Sequence, residues 1–258
     1  MTGIEQIRLK IERADKHIRD LQAAIVAFKE TDPYKFAVKE DAESGKLIYY
    51  VSRLTSTPSD IVLICGDALF NLRGALDYLA VQLFIKNNPN CGSIPRHVGF
   101  PIMESATKYE AESPGKIKGL SDSAIEAINA VKPYGGGNEC LWHLHALNNL
   151  SKHRLLITAA AQYRSVNIGA HIRQAWNGAF DHFPDLFMLP TGMGKFPLEV
   201  GDPLVEDAIF AEVNPNMKFR VEISFNEPGI VQREPIFETL KGMFDLVGHI
   251  VTDIAPLL

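Results

Sequence analysis

The stretch that decides the fold reads Thr57-Pro58-Ser59-Asp60-Ile61-Val62-Leu63-Ile64-Cys65-Gly66-Asp67-Ala68-Leu69-Phe70-Asn71-Leu72-Arg73-Gly74-Ala75-Leu76-Asp77-Tyr78-Leu79-Ala80-Val81-Gln82-Leu83-Phe84-Ile85-Lys86. Ile61, Cys65, Ala68, Leu72, Ala75, Leu79 and Leu83 recur at helical spacing, and Leu69 and Leu76 widen the stripe. Thr57 to Asp60 supplies an N-cap with a first-turn proline, and Asn87-Asn88-Pro89 ends the pattern. Asp67, Asn71, Arg73, Asp77 and Gln82 interrupt the apolar run, which argues against a membrane span.

Upstream, Ile4, Ile7, Ile11, Ala14, Ile18, Leu21, Ile25 and Phe28 repeat at spacings of three and four, predicting a long amphipathic helix. Thr2 and Glu5 have the spacing of a capping box, and Asp32-Pro33 stops the helix. Residues 34–54 alternate around Glu43-Ser44-Gly45-Lys46 and predict a β-hairpin. Downstream, residues 91–120 read as loop, with Phe100-Pro101-Ile102 as an apolar anchor. A short helix follows from Ser121 or Ser123 to Val131. Lys132-Pro133-Tyr134 and Gly135 to Gly137 then break the chain before Asn138 caps a helix reaching about Lys152. The glycine run reads as flexible linkage, since no G-x-x-x-x-G-K-[ST] pattern is present.

After Arg154 the period changes to two. Leu155 to Gln162 reads as one strand, and Val166, Ile168, Ala170 and Ile172 as the next. Residues 173–203 read as a long loop, and residues 209–213 and 217–225 as a hairpin across Asn214-Pro215-Asn216. Pro235 opens a final helix through Ile254. Helices, then strands, then a helix, without βαβ alternation, predict an α+β fold: long helices packed with an antiparallel sheet, the terminal helices on the second helix. The expected organisation is one elaborated domain over 1–258. Residues 1–154 form a mainly helical part with the hairpin near 34–54, residues 155–230 supply strands, and 235–256 form the last helix.

The 258 residues include 26 Lys+Arg and 31 Asp+Glu, a formal net charge of -5, with 46% hydrophobic content. This is the composition of an ordinary globular protein and not of a disordered or collagen-like chain. The negative balance gives no global attraction to phosphate backbones or anionic lipid, so neither a nucleic-acid nor a membrane partner is expected. Cys65, Cys91 and Cys140 are scattered and odd in number, which fits reduced thiols in a cytoplasmic setting. Charges from Glu5 onward argue against a signal peptide.

Two polar clusters carry the functional expectations. Arg73 and Asp77 stand one helical turn apart at the edge of the apolar stripe, near the unusual helical glycines Gly66 and Gly74. They form either a partly buried ion pair or a site in which Arg73 binds an anion and Asp77 orients it or acts as a base. Asn71 lies beside them. His145, Asn149 and His153 follow at spacings of four, next to Lys152 and Arg154. Cations at a helix C-terminus suit the helix dipole; alternatively, His153 and Arg154 enter the same cleft as Arg73 and Asp77. Cys140, His143 and His145 do not converge on one helix, so no metal and no cofactor is expected.

Residues 66–79, with Leu147-Asn148-Asn149-Leu150-Ser151-Lys152-His153-Arg154, the Phe100-Pro101-Ile102 anchor and the Lys132-Pro133-Tyr134 turn, resemble an uncharacterised bacterial protein family over about the first 160 residues. That resemblance implies no activity. A looser similarity is to the HEPN superfamily of helical ribonucleases, toxins and nucleotide-binding modules, which carry Arg and, after four to six residues, His on one helix. Arg73 occupies the arginine position, but Tyr78 stands where the histidine would be. The leading expectation is therefore a protein that binds a small anionic ligand through Arg73, Asn71, Asn149, Lys152 and Arg154, with Asp77 and His153 as candidate catalytic acid/base groups for hydrolysis. The alternatives are a HEPN-like ribonuclease and a structural module that forms a homodimer through the stripe from Ile4 to Phe28.

Overall fold

The computed structural model describes residues 3–40, 42, 47–153, 157–167, 188–190, 195–206 and 218–258. Helix α1 (Gly3–Glu30) is followed by strands β1 (Tyr34–Glu40) and β2 (Leu47–Leu54), then by helix α2 (Ser59–Asn87). Helices α3 (Ala106–Lys116), α4 (Asp122–Ala130) and α5 (Glu139–His153) come next. Strands β3 (Ala159–Asn167), β4 (Met188–Pro190), β5 (Pro203–Glu206), β6 (Lys218–Glu227) and β7 (Val231–Pro235) lead into helix α6 (Ile236–Ile254). The fold is α+β with antiparallel strand pairing, as its sequence periods require.

The chain divides into two compact units interleaved in sequence. One comprises Met1–Ala24, Ser59–Ile157 and Glu227–Leu258, and the other Ile25–Pro58 and Thr158–Asn226. The first is helical and built on α2, against which α5 and α6 pack. Ala68, Leu69, Leu72, Ala75, Leu76 and Leu79 are fully buried. Removing that much apolar surface from water, at about 25 cal/mol per Å², is the main stabilising term of the bundle. By length and composition α2 could cross a membrane, but most of its apolar window is buried within the chain. The stripe of α1 is covered as well, with Ile7, Ala14 and Leu21 at 0% exposure.

In the second unit, β1, β2 and β5 form one sheet, and β3 pairs antiparallel with β4 and β6. Both sheets contribute to one core, in which Tyr49, Val51, Tyr163, Val166 and Val221 are buried. Phe219 gathers the aromatic contacts, its ring centroid 4.6 Å from that of Phe36, 5.6 Å from Tyr49 and 5.9 Å from Tyr163. Inward rings alternating with outward polar residues are what the period-two pattern demands.

Three expectations are corrected. Residues 91–120 contain α3, whose N-cap Ser105 accepts a hydrogen bond from Lys108 N at 3.3 Å. The helix buries only Tyr109 and Ser113 and holds Pro114, so it has almost no apolar stripe to read. The strand break expected between Gln162 and Val166 is absent. Instead β3 runs through it with a bulge between Tyr163 and Ser165, which shifts the alternation by one residue; Leu155, Leu156, Ile168, Ala170 and Ile172 of the two expected strands lie outside the described residues. Strand β4 lies within the stretch expected to be loop and β5 begins at its last residue, both too short to carry a periodic signal. The second half of the expected hairpin at 209–225 is β6, while its turn and the strand at 209–213 lie outside the described residues.

Candidate functional site

Arg73 projects from α2 and is 7% exposed. A buried guanidinium needs acceptors on its fork, and three are supplied. Nη1 donates to Asp77 Oδ1 at 2.8 Å, Nη2 to the Phe100 carbonyl at 2.8 Å and Nε to His145 Nδ1 at 3.3 Å. Asp77 Oδ1 also accepts from Phe100 N at 3.1 Å. The ion pair thus holds both polar groups of one peptide residue, as a neighbouring strand would. Phe100 and Ile102 are buried at 0% and 2% exposure, so the Phe-Pro-Ile anchor is fixed at its apolar and polar ends alike. The Asp77 side chain keeps 41% exposure, leaving its end of the pair in water.

His145 on α5 extends the network. Burial first, and the Arg73 charge second, push its pKa down to about 4, so the ring is neutral at physiological pH. Nδ1 receives the guanidinium N–H, so the single ring proton sits on Nε2. The Asn149 amide nitrogen Nδ2 lies 2.9 Å from Nε2. Two donors on the ring nitrogens would leave the ring with no proton, so a hydrogen bond here requires the amide turned over, with Oδ1 accepting from Nε2–H. The chain Asp77, Arg73, His145, Asn149 is therefore a run of matched donors and acceptors joining α2 to α5. Gly66 permits that approach, because a Cβ there would meet Ser151 Oγ at 2.9 Å. At Gly74 a Cβ would meet only the Lys10 side chain, at 3.8 Å.

The remaining expected residues take two other positions. Asn71 is 8% exposed, donates to the Asp67 carbonyl at 2.8 Å and accepts from Lys10 Nζ at 3.3 Å. It lines a groove of about 490 Å³ with Lys10, Arg13 and Tyr78 between α1 and α2. Lys152 is exposed on α5, its Nζ 5.6 Å from the Phe70 ring centroid, while Lys10 Nζ lies 5.0 Å from the same centroid. Phe70 is 50% exposed. Among the described residues neither lysine has a carboxylate partner. His153 is the last residue of α5; its side chain and all of Arg154 lie outside the described residues. Arg73, Asp77, His145 and Asn149 are thus brought together, and Asn71 and Lys152 stand on a separate face of the same helical unit.

A second cleft, of about 270 Å³, opens between α2 and α5, lined by Gly66, Phe70, Asn148, Ser151 and Lys152 among others. Asn148 had a legible signal: four residues after Leu144 and seven after Leu141, it is a polar side chain on the buried face of α5. Lys10 and Phe70 gave none, because a lysine on a charged helix and an isolated exposed aromatic are ordinary surface residues. The run Gly135 to Gly137 is no loose linker. Gly135 N donates to Met103 O at 3.1 Å, and a Cβ at Gly135 would meet the Glu104 carbonyl at 2.5 Å. Asn138 Oδ1 then caps α5 at Leu141 N, 3.2 Å away. No group of three or more His, Cys, Asp or Glu residues able to hold a metal ion occurs among the described residues. Comparison with family models, curated proteins and solved structures finds no match.

Proposed function

We propose that this chain binds a small anionic ligand on the exposed face formed by α1, α2 and α5, in a bacterial cytoplasm. The observation that carries the reading is the pair of ammonium groups, Lys10 and Lys152, lying 5.0 Å and 5.6 Å from the Phe70 centroid without carboxylate partners among the described residues. Arg13 adds a third cation nearby, so the face is locally positive although the chain is net negative. Two cations beside an aromatic ring gain about 0.5–1 kcal/mol each at exposed sites, too little to neutralise them, and both stay available to an anion. Asn71 holds Lys10 in place. Arg73 and His145 act from below, as supports that fix α2 and α5, since their nitrogens are already engaged.

The three free cysteines fit the reducing compartment in this reading. Thermal shift with inorganic phosphate, pyrophosphate and short monocarboxylates at millimolar concentration tests it. At least one anion is expected to raise the melting temperature, and Lys152→Met should remove the rise while leaving the unliganded melting temperature unchanged. No response to any anion would end the proposal. The ribonuclease alternative requires catalysis around Arg73 without a histidine at position 78; labelled RNA incubated with wild type and Arg73→Ala in the presence of chelator tests that separately.

A further inference from the structure

The cleft between α2 and α5 is lined by a nearly buried polar side chain. Asn148 is 2% exposed and lines this cleft, yet its side-chain amide meets no hydrogen-bond partner among the described residues. Asn71, Asn88, Asn138 and Asn149 all find partners within the fold. The amide is not among the fully buried polar atoms that lack a partner, so it reaches the solvent of the cleft, where its N–H is open to a ligand group. Beside Asn148 stand the Ser151 hydroxyl and the Lys152 ammonium, both on α5. Opposite them, α2 presents the bare backbone of Gly66 and the ring of Phe70, and Leu63 and Ile157 add apolar wall. From α5 the cleft thus offers an amide N–H, a hydroxyl and a cation, faced by apolar side chains and by the Asp67 carboxylate of α2.

Resting on the anionic-ligand reading and deepening it, we infer that this cleft binds a small carboxylate with an apolar body, its carboxylate held by Asn148 Nδ2, Ser151 Oγ and Lys152 Nζ. A carboxylate has two oxygens able to accept from all three donors, and hydrogen bonds to a charged acceptor are the stronger kind. A volume of about 270 Å³ lies just under the roughly 300–1,000 Å³ of drug-sized ligand pockets, which restricts the occupant to a few carbons beyond the carboxylate. Phosphate would satisfy Lys152 but leave Phe70, Leu63 and Ile157 against a charged, hydrated group. Asp67 is exposed and lines the same cleft, where it repels a second anionic group and would receive an ammonium. The two sources of this chemistry are accordingly simple apolar carboxylates and apolar α-amino acids.

Calorimetric titration of the full chain with hexanoate, hexanamide, norleucine and inorganic phosphate tests the inference. Hexanoate or norleucine should bind one to one, the better of the two showing which source Asp67 selects. Hexanamide, with the same shape and no charge, should bind at least about tenfold more weakly, the equivalent of 1.4 kcal/mol. Asn148→Asp keeps the volume and turns a donor into an acceptor, and should weaken binding at least about tenfold. Should that buried substitution unfold the chain, Lys152→Met at an exposed position gives the same reading, and the side-chain amide resonance of Asn148 in ¹⁵N-labelled wild type should move on titration. Phosphate binding without carboxylate binding would overturn this inference and leave the anionic reading standing. Carboxylate binding indifferent to Lys152→Met, with an unmoved Asn148 resonance, would also overturn it. No binding of any of these probes would overturn both.

Discussion

Arg73 shows how a residue type associated with anion binding is consumed by structure when its surroundings supply acceptors. Each of its three nitrogens meets one: a carboxylate, a carbonyl and a ring nitrogen. The consequence for His145 is measurable. Its pKa, near 4 against an ordinary 6.5, means that as pH falls below 6.5 the unfolded chain takes up the proton first. Stability from this group is therefore complete above 6.5, falls between 6.5 and about 4, and changes little below. Between pH 7 and pH 5 the loss should be about 2 kcal/mol. Urea midpoints at the two pH values, for wild type and for His145→Gln, check this: the variant should lose that part of the slope, and an unchanged slope would contradict the neutral-imidazole assignment.

At the scale of elements, α2 and α5 meet where α2 carries Gly66, and the two helical glycines, alike in sequence, differ in what surrounds them. Gly74→Ala adds a methyl at ordinary contact distance from the Lys10 side chain, so it should recover the helix-propensity difference and stabilise by about 0.5–1 kcal/mol. Gly66→Ala places a carbon 2.9 Å from Ser151 Oγ and should gain nothing. Chemical denaturation of both variants measures the contrast, and equal gains would mean the helices do not approach as described. Long elements were legible because α1, α2 and α6 repeat their apolar residues over many turns. The i, i+4 spacings of Arg73 with Asp77, and of His145 with Asn149, were legible in the same way. What joined these two pairs was not, because periodicity places a residue on a face without saying which face it meets. Helix α3 and the bulge in β3 were lost for a related reason: one has no stripe, and the other breaks its own alternation.

For the whole molecule, the order of periods along the chain announced an α+β fold, since helices bury one stripe and strands one face. Segregation into two cores was not legible: the hairpin of β1 and β2 shares its core with β3 and β6, more than a hundred residues later, and the chain crosses between the units four times. The helical unit then combines an interior polar clasp with an exposed cationic and aromatic face. The claim on which this account stands is that Arg73 belongs to the clasp and Lys152 to the face. Denaturant unfolding of Arg73→Ala beside Lys152→Met tests it most directly. Removing Arg73 leaves a carboxylate, a carbonyl and an imidazole without their donor, and should cost about 3 kcal/mol, whereas removing the exposed lysine should stay within about 0.5 kcal/mol of wild type. An Arg73→Ala protein as stable as wild type would contradict the account.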